Sequence, residues 1–291
     1  QTDRWTKAKA AAKAVIDHSE FAYKLDLNQP VSASDGAINY MALSLGGGSK
    51  AVDFTAAKDI ILGRFFIDEK DERGGWVGRD NGPNGYHNWA GNTPIQLLVD
   101  DYETIAGEKF DWSNPTMAAN PYQNRDPRLK ATLLYDGADW KPRTADVAAR
   151  DKVNQIQTGQ YEVVNAQGQK TTHFGLDTRK SPIEDWNGSR TGYYIRKFTD
   201  PDPTMEDQNT RQRIPWPMFR YTEAVLNYVE ACLELGEEGE AKIWMNKVRF
   251  RAGMPAIPSS ESGAALKARY RNERRVELAY EEHRFFDARR W

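Results

Sequence analysis

Near the C-terminal end, two apolar stripes with helical spacing follow each other across a glycine turn, and few folds accommodate such a pair. From Met218 to Leu235, the residues Tyr221, Val225, Tyr228, Val229 and Cys232 share one face, Glu223, Asn227, Glu230 and Glu234 the other, and Gly236 ends the helix. After a turn from Gly236 to Gly239, the residues Ala241, Trp244, Met245, Val248 and Ala252 make a second stripe, closed by Gly253 and Pro255. Two such helices bury their stripes only against each other and further helices, so an antiparallel hairpin in a helical stack is expected. The unit from Met218 to Ala252 is about 35 residues long, close to the ~34 of a tetratricopeptide repeat, and one unit alone is too small to be stable. Arg4 to His18 predicts another amphipathic helix, with Trp5, Ala8, Ala12, Val15 and Ile16 on one face. Arg271 to Trp291 reads as a charged helix with an apolar seam, its opposite charges one turn apart at Arg274/Glu277, Glu281/Arg284 and Asp287/Arg290.

Between these ends the pattern is weaker. Asn28 to Lys50 is small and polar, ends in Gly46, Gly47 and Gly48, and reads as loop; its GGGS run lacks the Gly-Lys-Ser/Thr ending of a phosphate loop. Ile60 to Ile67 and Tyr193 to Phe198 look like strands, as does the run that follows Asp-Pro-Arg within Asn124 to Tyr135. Tyr161 to Val164 and Thr171 to Phe174 flank a turn and suggest a hairpin, while Thr93 to Ile105 has the Thr and Pro of a short helix. The expected fold is therefore mainly α, a tetratricopeptide-like scaffold of helical hairpins with long loops and a few short strands. One domain over 1–291 is expected, with helical scaffold at 1–20 and 215–291 and a loop-rich insertion over about 28–214.

Composition narrows the function. The 40 basic and 42 acidic residues nearly cancel, so no nucleic acid or other electrostatic partner is implied. Cys232 is the one cysteine, which rules out an intrachain disulfide and a multi-cysteine metal site; its place on an apolar stripe suggests inert core. No apolar run approaches the ~20 residues of a membrane span. His18, His87, His173 and His283 lack the spacing of metal ligands, and neither a metal nor a cofactor is expected. Asp100/Asp101, Glu184/Asp185 and Glu281/Glu282 are adjacent carboxylates, whereas a glycosidase needs two that face each other ~5–10 Å apart. Those on helices are expected to be solvated, and no enzyme activity is expected.

The segment Gly74 to Gly91 carries six glycines together with Trp76, Tyr86, His87 and Trp89, and that glycine density predicts an irregular loop. Large aromatics on such a loop sit either in a cavity of their own fold or on a surface that meets a ligand. A saccharide presents apolar C–H faces ringed by hydroxyls, so a site for one needs flat aromatic platforms beside amides, carboxylates or guanidiniums. Trp76, Tyr86 and Trp89, with His87, Arg79, Asp80, Asn81, Asn84 and Asn88, supply both. Trp186, followed by Asn187 and Gly188, is a second candidate. Trp112 and Trp140 are weaker ones, and Trp5, Trp216, Trp244 and Trp291 belong to helix packing.

Several separate stretches, in order, resemble the SusD/RagB family of outer-membrane nutrient-binding lipoproteins of Bacteroidota. They are RWTKAKAAAKAVID (Arg4 to Asp17), VDDYE (Val99 to Glu103), DPRL (Asp126 to Leu129), TGYYIRKF (Thr191 to Phe198), RYTEAVLNYVEACLELG (Arg220 to Gly236), MNKVRFRAG (Met245 to Gly253) and ERRVELAYEEHRFFDARRW (Glu273 to Trp291). The resemblance implies a helical scaffold and non-catalytic binding of glycans or other nutrients at the cell surface. It also implies a partner, a SusC-like TonB-dependent outer-membrane transporter on which such proteins sit as lids. Family members begin with a signal peptide and a lipidated Cys, and they run on past Arg-Arg-Trp, so a portion of a longer protein is expected, its lipid anchor outside this chain. The alternatives are a helical-repeat scaffold that binds protein and no glycan, and a glycoside hydrolase.

Overall fold

The computed structural model describes residues 2–67 and 69–291. Its helices, in chain order, are α1 (Thr2–Ile16), α2 (Ala33–Leu45), α3 (Val77–Asn81), α4 (Gln96–Asp101), α5 (Pro115–Ala119) and α6 (Pro127–Thr132). After a long stretch without helices of this length come α7 (Tyr221–Glu234), α8 (Glu238–Arg251), α9 (Gly263–Glu277) and α10 (His283–Arg290). The strands are β1 (Ile60–Arg64), β2 (Leu133–Leu134), β3 (Gln160–Val164), β4 (Lys170–Phe174), β5 (Tyr194–Ile195) and β6 (Trp216–Arg220). They form three separate antiparallel pairs, β1 with β6, β2 with β5 and β3 with β4.

The expected helical stack is present. Gly236 adopts the left-handed conformation (φ +79°) and the Glu237 amide donates back to the Cys232 carbonyl at 2.8 Å, which closes α7 and turns the chain into α8. Ala12 and Ile16 of α1 join Val225, Val229 and Cys232 of α7, Met245 and Val248 of α8, and Leu266 and Tyr270 of α9 in one buried cluster. The Tyr221 hydroxyl fastens α7 to the end of α1 by donating to the Ile16 carbonyl at 2.7 Å. Burial in this cluster pushes the Cys232 thiol up to about 11, which leaves it unreactive.

Four local expectations are overturned. Where a loop is expected from Asn28 to Lys50, the structure has α2, capped by Ser32 Oγ, which accepts from the Asp35 amide at 3.1 Å. Its small residues serve close packing: a Cβ on Gly36 would fall on the Ala252 carbonyl oxygen, and Asn39 Nδ2 donates to the Arg251 carbonyl at 3.1 Å. The residues after Asp126 are helical, because its carboxylate caps α6 (Arg128 amide to Oδ1, 2.9 Å) and Pro127 fits the first turn, so only Leu133 and Leu134 remain extended. The C-terminal hairpin begins at Tyr221, since Trp216 to Arg220 pair with β1 instead.

The fourth concerns Arg271 to Trp291, which breaks into α9 and α10 where Tyr280 and Glu282 take left-handed conformations (φ +63° and +67°). The break rearranges its charges. Arg274 pairs with Asp287 at 2.7 Å rather than with Glu277, and Glu281 is buried rather than solvated. Glu277, fully buried, instead meets Arg251 at 2.8 Å, Arg128 at 3.1 Å and Arg220 at 3.3 Å. Glu273 takes Arg128 and Arg249 (2.5 and 2.8 Å), Glu281 takes Lys197 and Arg220 (2.6 and 2.7 Å), and Glu103 extends the network through Arg249 at 2.8 Å. Burial alone would raise the Glu277 carboxyl, but the guanidiniums of Arg251, Arg220 and Arg128 outweigh it and hold the group down to about 2.

Candidate binding face

The glycine-rich segment is more regular than its composition suggests. A 3-10 turn at Arg73–Trp76 runs into α3, and a second spans Asn84–Tyr86. The glycines allow close approach: a Cβ on Gly78 would lie 2.5 Å from Asp207 Oδ1, and one on Gly85 2.7 Å from the Leu176 carbonyl oxygen. The segment is thus clamped against the polypeptide around residues 176 and 207.

On its outer side, Arg79 of α3 brings its guanidinium carbon to 4.3 Å from the ring centroids of both Trp76 and Trp89. The Trp89 amide donates to the Arg79 carbonyl at 2.8 Å, so the chain folds back along α3 and sets the second indole against the same cation. Asp80 Oδ1 accepts from Arg79 Nε and Nη2 at 3.1 and 3.0 Å, and Asp71 Oδ1 accepts the Trp76 indole N–H at 2.8 Å. Cation–π contacts of this kind contribute ~0.5–1 kcal/mol each at exposed sites and hold both rings in one orientation. Trp89 nevertheless stays 41% exposed, and the result is a pre-set aromatic surface with charged groups at its edge.

The other candidates separate into two groups. Tyr86 is no platform: it is 3% exposed, packs with Leu134, Trp140, Ile156 and Tyr194, and donates its hydroxyl to the Lys141 carbonyl at 2.8 Å. The Arg143 guanidinium covers its ring at 4.3 Å, and burial raises its phenol well above the usual range. Asn84 and Asn88 are fully buried. The Asn84 amide donates to the carbonyls of Thr178 and Glu184 at 2.7 and 2.8 Å, and Asn88 Nδ2 donates to Asp207 Oδ2 at 3.3 Å, beside Lys141. Asn81 is also committed, to the Val77 carbonyl and to Asn92. His87 holds a left-handed conformation (φ +60°) with Nε2 2.9 Å from Asp146 Oδ2. Trp186 is 65% exposed on the loop that Asn84 ties to the glycine-rich segment.

Asp71 and Asp146, which orient Trp76 and His87, are missing from the sequence-based set. Nothing in the charged run around Asp71 distinguishes it before the fold is known. Among the described residues, no group of three or more His, Cys, Asp or Glu side chains is placed to hold a metal ion. Nor is any helix among the described residues long and apolar enough to cross a membrane.

The SusD family profile matches residues 59–291. The chain belongs to the SusD family. Among solved structures, a SusD-like protein of Bacteroides fragilis is 24% identical with a TM-score of 0.64, over 98% of this chain and 51% of its own. A SusD-like carbohydrate binding protein of the same species is 25% identical with a TM-score of 0.68, over 98% of this chain and 48% of its own. A SusD superfamily protein of Bacteroides vulgatus shares the fold at 16% identity and a TM-score of 0.59, over 99% of this chain and 48% of its own. This SusD-family chain spans about half the length of the solved proteins it matches. No curated protein matches it in sequence.

Proposed function

We propose that this SusD-family chain is a non-catalytic glycan-binding module whose binding face is the stack of Trp76, Arg79 and Trp89, with Trp186 on the adjoining loop. The observation that carries the reading is the exposed indole of Trp89, held against Arg79 with hydrogen-bonding groups at its edge. A saccharide ring stacks its C–H face on that indole and turns hydroxyls towards Arg79 and Asp80; pre-organisation lowers the entropic cost of capture. A relative of similar architecture is a carbohydrate binding protein, which supports the same reading. The module acts as one SusD-like domain at the outer surface of the outer membrane, held there by a lipid anchor, and passes its ligand to a TonB-dependent transporter of the SusC type.

Isothermal titration with a panel of neutral oligosaccharides tests the site. Truncating a central aromatic anchor costs roughly tenfold to hundredfold in affinity, so Trp89→Ala should weaken binding by that factor and release no reducing sugar on long incubation. Unchanged affinity in Trp89→Ala, with the fold intact, would remove the site; hydrolysis of the oligosaccharide would remove the non-catalytic reading.

A further inference from the structure

The buried arginines of this protein meet partners, and half-buried Arg196 departs from that pattern. Arg128, Arg143, Arg220, Arg249, Arg251 and Arg274 each have a carboxylate between 2.5 and 2.8 Å away. Arg125 instead spends its donors on the carbonyls of Val99, Tyr102 and Pro121, each at 2.6 Å. Arg196, just past β5, makes one bond, from Nη1 to the Lys130 carbonyl at 3.0 Å. Its Nε is sealed from solvent with no acceptor, and Asp139 acts on it through space without forming an ion pair among the described residues. Beside it, 5.2 Å from the guanidinium carbon to the ring centroid, Trp140 has a second buried N–H with no acceptor.

A half-buried guanidinium with so few protein partners has terminal N–H donors left for an anion. Arg196 lines a cleft of about 350 Å³, within the range of small-molecule sites. Ser34, Ile38 and Met41 of α2 form one wall, and Lys130 and Asp139 complete the charged side. The cleft therefore carries two cations against one acid, and that acid already accepts from Gln155 Nε2 through Oδ1 at 3.1 Å. Ile38 and Met41 offer an apolar wall, while Ser34 and the free carboxylate oxygen of Asp139 suit hydroxyls.

We propose that this cleft takes an acidic saccharide unit, its carboxylate or sulfate held by Arg196 and Lys130. The inference rests on the glycan-binding reading and adds a ligand class to it: a charged glycan, bound at two places on the protein. Guanidinium and ammonium groups both donate charge-assisted bonds to an oxyanion, roughly twice as strong as neutral ones.

The test is a titration of three oligosaccharides of equal length, one neutral, one bearing uronic acids and one sulfated, into the wild type, Arg196→Gln, Lys130→Ala and Trp89→Ala. One acidic ligand should bind the wild type roughly tenfold or more tightly than the neutral one, since a hydrogen bond to a charged group is worth about that factor. Whichever acidic ligand does so identifies the anion. Both Arg196→Gln and Lys130→Ala should lose most of that preference and keep their affinity for the neutral ligand. Lys130 is exposed and its backbone carbonyl survives the substitution, so Lys130→Ala decides the matter even if Arg196→Gln fails to fold. Equal binding of acidic and neutral ligands by the wild type, or a preference that survives in Lys130→Ala, overturns the inference. Neutral binding that Trp89→Ala abolishes, without any acidic preference, overturns this inference alone and leaves the glycan-binding reading standing; failure of every saccharide to bind overturns both.

Discussion

Glu277 is a carboxylate with no exposure to water and three guanidiniums around it, and the behaviour of the fold at low pH follows from it. Its folded value of about 2 lies below the ~4.3 of an unfolded glutamate. The stability it contributes is therefore fully present above ~4.3 and is lost as pH falls from there towards 2. Glu277→Gln leaves three buried guanidiniums short of a charge and should cost about 3–5 kcal/mol at pH 7. Denaturant titration should show the gap between wild type and variant narrowing as pH drops below ~4.3; a gap independent of pH would count against the ion network. Arg79 acts on a smaller scale. Arg79→Ala should cost about 1–2 kcal/mol, the sum of two cation–π contacts, and should also loosen Trp89, raising the mobility of its indole measured by fluorescence anisotropy. The sequence shows that these side chains are charged or aromatic and hides what they meet. Arg274 and Glu277 have the spacing of a helical pair, yet Glu277 finds its cations on α6, α8 and β6, segments that no local periodicity connects.

At the scale of elements, long amphipathic patterns translate directly. The stripes of α1, α7 and α8 depend on a period that one helix carries by itself, so they are legible from residue order. Elements held by a neighbour are not. The Gly, Ser and Asn of α2 resemble loop composition because its inner face lies against the end of α8, where nothing larger fits. Gly36→Ala tests this: alanine normally favours a helix, but here its Cβ meets the Ala252 carbonyl, so the variant should lose about 1–3 kcal/mol, the usual cost of overpacking. A gain in thermal stability would show that the small residues of α2 have another cause. The glycine-rich segment follows the same rule. Its glycines look like flexibility and act as contact points, which is why Tyr86, Asn84 and Asn88 turn inward while Trp76, Arg79 and Trp89 are left on the outer side. That the segment carries large aromatics was legible in the sequence; that Trp89 stays exposed while Tyr86 turns inward was not, since nothing local reveals that the Tyr86 hydroxyl is claimed by the Lys141 carbonyl.

In the whole molecule, the stretches that carry the family resemblance converge. Glu103 from VDDYE, Asp126 and Arg128 from DPRL, Lys197 from TGYYIRKF, Arg220, Arg249 and Arg251, and Glu273, Glu277 and Glu281 form one buried network. Segments far apart in the chain thus register against one another through ions rather than through a continuous sheet, which leaves the loops between them free to carry a binding face. The acid–base network and the proposed site share no residues, so substitutions in the network should change stability without touching the binding face directly. The protein contains nine tryptophans, each with an indole N–H that NMR resolves in principle after selective labelling. Titration of an oligosaccharide that binds should shift the indole signals of Trp89 and Trp76, with Trp186 following on the adjoining loop, and leave those of Trp244 and Trp291 in place. Shifts confined to tryptophans of the helical stack, with Trp76 and Trp89 unmoved, would contradict the account.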